Sequence, residues 1–255
     1  MRTIALALLF GFAQAPAFDT ASVKPNPSRT CDRDGNLAGG RFVMTCSTLR
    51  DLIVFAYPRQ DGRVRIDAEI TGGPSWINSD RFDVIAKAPA GQGVGVDAAN
   101  TSGGGATPAV LSAIEGIRRM AQALLTDRFT LTAHHESRPL AAYELRIDRA
   151  PGRQLKKVDA TPRGFQTLGP GHFVGNAVTL PMLAQFLEMS VSRNVFDRTG
   201  LQGTFNLELQ YAPENDTNGV SIFTALKEQL GLKLDSVKAP IDVLVIDHAD
   251  KPTPD

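Results

Sequence analysis

Apolar positions recur along this chain at two periods, one helical and one extended. Leu49, Leu52, Ile53 and Ala56 fall three and four apart behind Ser47-Thr48, which predicts a short helix capped by one of those hydroxyls and ended at Pro58. Ser112-Ala113-Ile114-Glu115 matches a capping box ahead of Ile117, Met120, Ala121 and Leu124, a second helix. Leu180, Leu183, Phe186 and Leu187 predict a third, with Pro181 in its first turn. Ser221 ahead of Phe223, Leu226 and Leu230, with Gly231 as stop, predicts a fourth. Runs at 18–25, 63–70, 82–86 and 205–209 predict strands, as do shorter ones at Phe42-Val43 and 194–196. Segments 129–135 with 140–148, and 232–234 with 241–247, read as two hairpins, the first turned at Ser137-Arg138-Pro139.

The order repeats. Gly40, Phe42-Val43, Thr48-Leu49, Leu52 and Phe55 fall in step, without a gap, with Gly171, Phe173-Val174, Thr179-Leu180, Leu183 and Phe186. Leu145-Arg146-Ile147-Asp148 and Leu244-Val245-Ile246-Asp247 extend the correspondence. The expected fold is therefore α+β, a duplicated unit of two helices packed on a mainly antiparallel sheet. Its parts would be a signal peptide at 1–17, a first repeat at 18–150, a connector at 151–170 and a second repeat at 171–255. The Gly- and Ala-rich stretch 89–107 has no periodicity and reads as a mobile surface loop.

Composition narrows the function classes. With 27 basic and 27 acidic residues the formal charge is zero, so no one-sign field steers nucleic acid. Met1-Arg2, the apolar run Ile4 to Phe12 and Ala15-Pro16-Ala17 form the three regions of an export signal, the alternative being a buried strand or uncleaved anchor. No other run is long enough to span a membrane, so a secreted or periplasmic chain is expected. Outside the cytoplasm, Cys31 and Cys46 read as a disulfide, the alternative being two buried free thiols.

Candidate chemistry is sparse. His134-His135-Glu136 puts His134 and Glu136 on one face of a strand, but the Pro-Cys-x-x-Cys of a zinc deaminase and the His-Glu-x-x-His of a zincin are both missing. Those positions are either solvated strand residues, a binding site or part of a metal site. Arginines in Asp80-Arg81, Asp127-Arg128 and Asp197-Arg198 could hold an anion or cover the core with their stems. Trp76, the single tryptophan, could line a groove or plug the core. No Gly-x-Ser-x-Gly, Walker or GxGxxG motif exists, and no cofactor is implied. Candidate binding residues are Trp76, Arg81, His134 and Glu136, with no metal set and no catalytic set.

Several short motifs occur together and in order: Ala21-Ser22-Val23-Lys24-Pro25, Gly72-Gly73-Pro74-x-Trp76, Ser79-Asp80-Arg81-Phe82-Asp83, Asp127-Arg128-Phe129, His134-x-Glu136-Ser137, Asp197-Arg198-Thr199-Gly200-Leu201-x-Gly203 and Val245-Ile246-Asp247-His248. Their combination resembles a soil-associated bacterial family of unknown function, expanded in acidobacterial-type genomes. A related domain in that family follows membrane metallopeptidases of the beta-lactam-sensor type. The resemblance implies no activity and no catalytic residues, and this chain lacks the peptidase's zinc motif. The expected role is an exported, non-enzymatic binding or interaction module for an envelope protein, peptide or cell-wall ligand. The alternatives are an exported hydrolase using Asp, Glu and His side chains, or a structural envelope protein.

Overall fold

The computed structural model describes residues 16–28, 30–32, 34–37, 39–92, 107–149, 154–212 and 219–253. Most of the expected signal, the centre of loop 89–107 and the polar loop 213–218 lie outside the described residues. The chain is α+β, with its helices set against largely antiparallel sheets.

The first sheet takes β1 (Thr20–Asn26), β2 (Asp34–Asn36), β3 (Arg41–Thr48) and β5 (Arg81–Lys87) in the order β1-β5-β3-β2. Pro25 is accommodated because β1 is an edge strand, where a missing N–H breaks no ladder. Helix α1 (Leu49–Ala56) starts where Thr48 Oγ1 accepts from the Asp51 amide at 3.2 Å and Asp51 Oδ2 accepts from the Thr48 amide at 2.8 Å. Helix α2 (Pro108–Phe129) begins earlier than expected, at the N-cap Thr107. Thr107-Pro108 supplies both a capping hydroxyl and a proline at the first helical position, so Ser112 lies inside the helix rather than at its cap.

A second outer sheet holds β7 (Leu155–Val158), β8 (Gly164–Gly169), β9 (His172–Val178) and β11 (Thr204–Gln210) in the order β7-β11-β9-β8. The segment expected as a connector thus carries two strands, β7 and β8. Helix α3 (Leu180–Val191) is capped by Thr179, and α4 (Ile222–Ala225) by Ser221, running into a wider π-type turn at Leu226–Leu230. In both outer sheets a bulge puts a non-glycine residue in the left-handed region, Cys46 in β3 (φ 53°) and Ala177 in β9 (φ 48°). A side chain of the neighbouring strand accepts each bulged amide at 2.8 Å: Asp83 for Cys46, Asn206 for Ala177.

Neither expected hairpin forms. β6 (Thr132–Ile147) and β12 (Leu232–His248) are single long strands that pair antiparallel along nearly their whole length, about 50 Å at 3.3 Å per residue. Pro139, read as a turn signal, faces Pro240 in the ladder. At a rung whose N–H groups point outward, two facing prolines cost no ladder bond. The short strands β4 (Ile70–Gly72) and β10 (Val195–Asp197) flank this ribbon in parallel, giving β10-β6-β12-β4. The expected strand at 63–70 is confined to β4, because Glu69 turns inward in a 3-10 turn at Asp67–Glu69 and Arg65 is drawn into polar contacts.

Two apolar cores result. One joins Phe42, Leu49, Ile53, Phe82, Ile117 and Phe129 to Leu244 and Ile246 of β12. The other joins Phe173, Leu180, Leu183, Phe205 and Leu226 to Leu145 of β6 and Leu232 of β12.

Candidate functional site

Where β1 ends and β5 begins, the chain opens a cleft of about 570 Å³. Asn26, Pro27 and Ser28 form one wall and Ser79, Asp80 and Arg81 another, with Lys251 and Pro252 of the outgoing chain closing a third. Asp80 accepts from Lys251 Nζ at 2.6 Å and from Ser79 Oγ at 3.1 Å. The bond from Lys251, outweighing slight desolvation, holds the Asp80 carboxyl below its ordinary pKa. Arg81 lines the cleft and reaches past it: its Nη1 donates to the Cys46 carbonyl at 3.0 Å and lies 3.3 Å from Cys46 Sγ. Cys46 is bonded to Cys31, so the disulfide lies next to this wall.

Of the candidate residues, Arg81 lies in this cleft and Trp76 joins it through Lys251, whose ammonium sits 5.8 Å from the indole centre. The indole is half-buried and packs on Phe82 and Phe129, so it is chiefly a core residue with one wet edge. His134 and Glu136 stand elsewhere, on β6. His134 Nδ1 is 2.9 Å from Asp247 Oδ2 and its Nε2 is 3.0 Å from Glu136 Oε1. Glu136 also accepts from Arg138 Nε at 2.6 Å, and Arg138 Nη1 donates to Thr71 Oγ1. The bulge between Ile246 and His248 leaves Asp247 outside the ladder, and its carboxylate meets His134.

Electrostatics follow from those contacts. Hydrogen bonds to Asp247 and then Glu136 raise the His134 pKa, while Arg138 and then His134 lower that of Glu136. With a carboxylate on each ring nitrogen, His134 is set up as an imidazolium donating twice. Neither nitrogen is left to accept a proton, and the group is exposed rather than held in a dry cleft. Among the described residues no group of three or more His, Cys, Asp or Glu side chains is arranged to hold a metal ion.

A buried polar cluster was not foreseen. Arg59, 8% exposed, donates through Nε to Glu69 at 2.8 Å and through Nη1 to Glu188 at 2.7 Å. Glu188 also accepts from Arg63 at 3.0 Å and from the Val195 amide at 3.1 Å. Burial opposes the charge of Arg59, but its bonds to Glu69 and Glu188 outweigh that and keep its pKa above the ordinary arginine value. Nearby, Arg65 bonds the Tyr57 and Asp242 carbonyls and the Asp242 carboxylate, which His135 also meets at 2.9 Å. These contacts tie α3 and β12 to the segment between α1 and β4. Only the clustering of arginines at 59, 63 and 65 hinted at it, since two of the acidic partners, Glu188 and Asp242, are far away in sequence.

Fold and site together define an α+β protein with a charge-rimmed cleft at a sheet end and a clamp of buried ion pairs, and among the described residues no arrangement names a reaction. The chain belongs to the family described as "Protein of unknown function (DUF3738)", whose model matches residues 50–249. No curated protein and no solved structure matches it. Among the described residues no helix is long and apolar enough to cross a membrane.

Proposed function

We propose that this protein is an exported, non-catalytic binding module whose ligand site is the cleft formed by Asn26–Ser28, Asp80–Arg81 and Lys251–Pro252. One observation carries the reading. The His-Glu cluster that the sequence singles out, Asp247–His134–Glu136, has both imidazole nitrogens engaged by carboxylates, whereas Arg81, Asp80 and Lys251 border an open 570 Å³ cleft. Walls made of extended chain, with charges of both signs, suit an extended polar ligand such as a peptide or cell-wall fragment. Export is supported by the leader pattern and by the Cys31–Cys46 disulfide. On this reading the chain is one of the soil-associated relatives of domains appended to sensor-type membrane peptidases.

The architecture is read as an internal duplication, expected as repeats at 18–150 and 171–255, with the strand match carrying the second unit back through the expected connector to β7 at Leu155. In its favour, β7-β11-β9-β8 is β1-β5-β3-β2 renumbered by six strands. Cys46 and Ala177 carry matching bulges, and Thr48 and Thr179 matching caps. The Ala88 amide bonds Gly40 and the Tyr211 amide bonds Gly171, both at 2.8 Å.

Purified mature protein is to be used as bait for envelope extract and screened by thermal shift against peptides and cell-wall fragments. A ligand that stabilises the native protein and is lost on Lys251→Glu and on Asp80→Ala supports the reading. Binding indifferent to both substitutions moves the site elsewhere. Turnover of any fragment, abolished by His134→Ala, replaces the reading with that of a hydrolase.

A further inference from the structure

The disulfide is asymmetric in its surroundings. Cys46 is 1% exposed, fixed in the β3 bulge with its amide donating to Asp83, whereas Cys31 is half-buried between the exposed Thr30 and Asp32. Among the described residues the charged contact is equally one-sided: Arg81 Nη1 lies 3.3 Å from Cys46 Sγ while the same nitrogen is anchored on the Cys46 carbonyl. In thiol–disulfide exchange the sulfur that is attacked must be reachable, and the sulfur that departs must carry negative charge. Reach favours Cys31 for the first role, and the guanidinium, which never deprotonates, favours Cys46 for the second.

We propose that Cys31 is a thiol-exchange site, at which an external thiolate forms a mixed disulfide while Cys46 departs as a thiolate held by Arg81. The reactant is a small monothiol, RS⁻. Its sulfur bonds Cys31 Sγ, the Cys31–Cys46 bond breaks, and the bonding pair leaves on Cys46 Sγ. One disulfide is consumed and one is formed, so no further oxidant or reductant enters. The reverse attack, by the Cys46 thiolate on Cys31, expels RS⁻ and restores the native bond. A second RS⁻ attacking the adduct sulfur would instead release Cys31 as a thiolate and form RSSR. Because Arg81 and Ser28 also line the cleft, exchange takes place beside it. This inference stands on the disulfide's surroundings and does not require the cleft to bind anything.

The folded, oxidised protein is incubated with reduced glutathione, acid-quenched and mapped by peptide mass spectrometry. Opening rates are compared in the wild type, Arg81→Gln and Arg81→Lys. The adduct is expected on Cys31, with opening slowed between about threefold and tenfold in Arg81→Gln and partly recovered in Arg81→Lys. A merely structural Arg81 gives the opposite sign, since its loss loosens the bulge and speeds opening. An adduct on Cys46, or an Arg81→Gln rate equal to or above the wild type, overturns the proposal. If Arg81→Gln does not fold, the position of the wild-type adduct alone decides.

Discussion

Replacing Glu188 by glutamine tests whether the buried ion pairs clamp the two ends of the molecule together. Glu188 is 4% exposed and accepts three hydrogen bonds: from Arg59 at 2.7 Å, Arg63 at 3.0 Å and the Val195 amide at 3.1 Å. The amide keeps the size but removes the charge, and its NH2 group then faces a guanidinium donor. Arg59 would retain only Glu69, and its Nη2 already meets no acceptor among the described residues. Removing one partner of a buried pair costs about 3–5 kcal/mol. Arg63 is partly solvated and keeps Asp61, which points to the lower end, about 3 kcal/mol. For a chain of this size that corresponds to a fall in Tm of roughly 6–12 °C. Urea unfolding should be followed both by Trp76 fluorescence and by far-ultraviolet circular dichroism. Trp76 packs in the first core while Glu188 sits on α3 beside the second, so an indole signal that shifts with the dichroism demonstrates mechanical coupling. A loss below about 1 kcal/mol, or a Trp76 transition that stays put while the dichroism moves, would refute the clamp.

Three further outcomes are expected. Burial works against the Asp242 charge, but bonds from Arg65 and then His135 outweigh it and depress its pKa. Its contribution to stability is therefore present above the ordinary aspartate pKa of about 3.9 and lost as pH falls through the depressed folded value, so Asp242→Asn should flatten the acid limb of a stability–pH curve. His134 should titrate above its ordinary value of about 6.5 in NMR and return toward it in Asp247→Asn, whereas an unmoved resonance would mean the pairing is absent in solution. Gly72 has φ 79°, and a Cβ there would lie 2.5 Å from the Ile246 carbonyl oxygen, so Gly72→Ala should cost at least about 2 kcal/mol by chemical denaturation. Wild-type stability in that variant would mean β4 does not dock on β12.

Local signals in the sequence carried the helices well. Thr48, one of the two hydroxyls expected, and Ser221 cap their helices, because capping is decided within a few residues, whereas Thr107 displaces Ser112 at the start of α2. Long-range pairing was illegible for the same reason. Nothing within ten residues of Pro139 or Pro240 reveals that each faces the other across an unbroken ribbon, so Pro139 reads as a turn and each long strand as a hairpin. The site divided in the same way. His134 and Glu136 do meet, as alternation along a strand requires, but Asp247 joins them only through a bulge. Arg81 was singled out for anion binding, and its hold on Cys46 depends on a left-handed residue no sequence rule flags. Glu69 and Glu188 were passed over because a carboxylate on a helix or turn is normally solvated, and only their distant arginines make burial affordable.

The short strands β4 and β10 each add to a long strand from the opposite end of the chain: Ile70–Gly72 to 244–246 of β12, and Val195–Asp197 to 143–145 of β6. Every pairing in the central sheet therefore joins residues before position 150 to residues after it. Each piece keeps its own outer sheet but neither can complete the central one, so a protease nick between them should leave a tight two-fragment complex rather than two free-standing domains. The last of these ladders to close must wait until His248 has emerged, which makes completion of the central sheet a late and slow event.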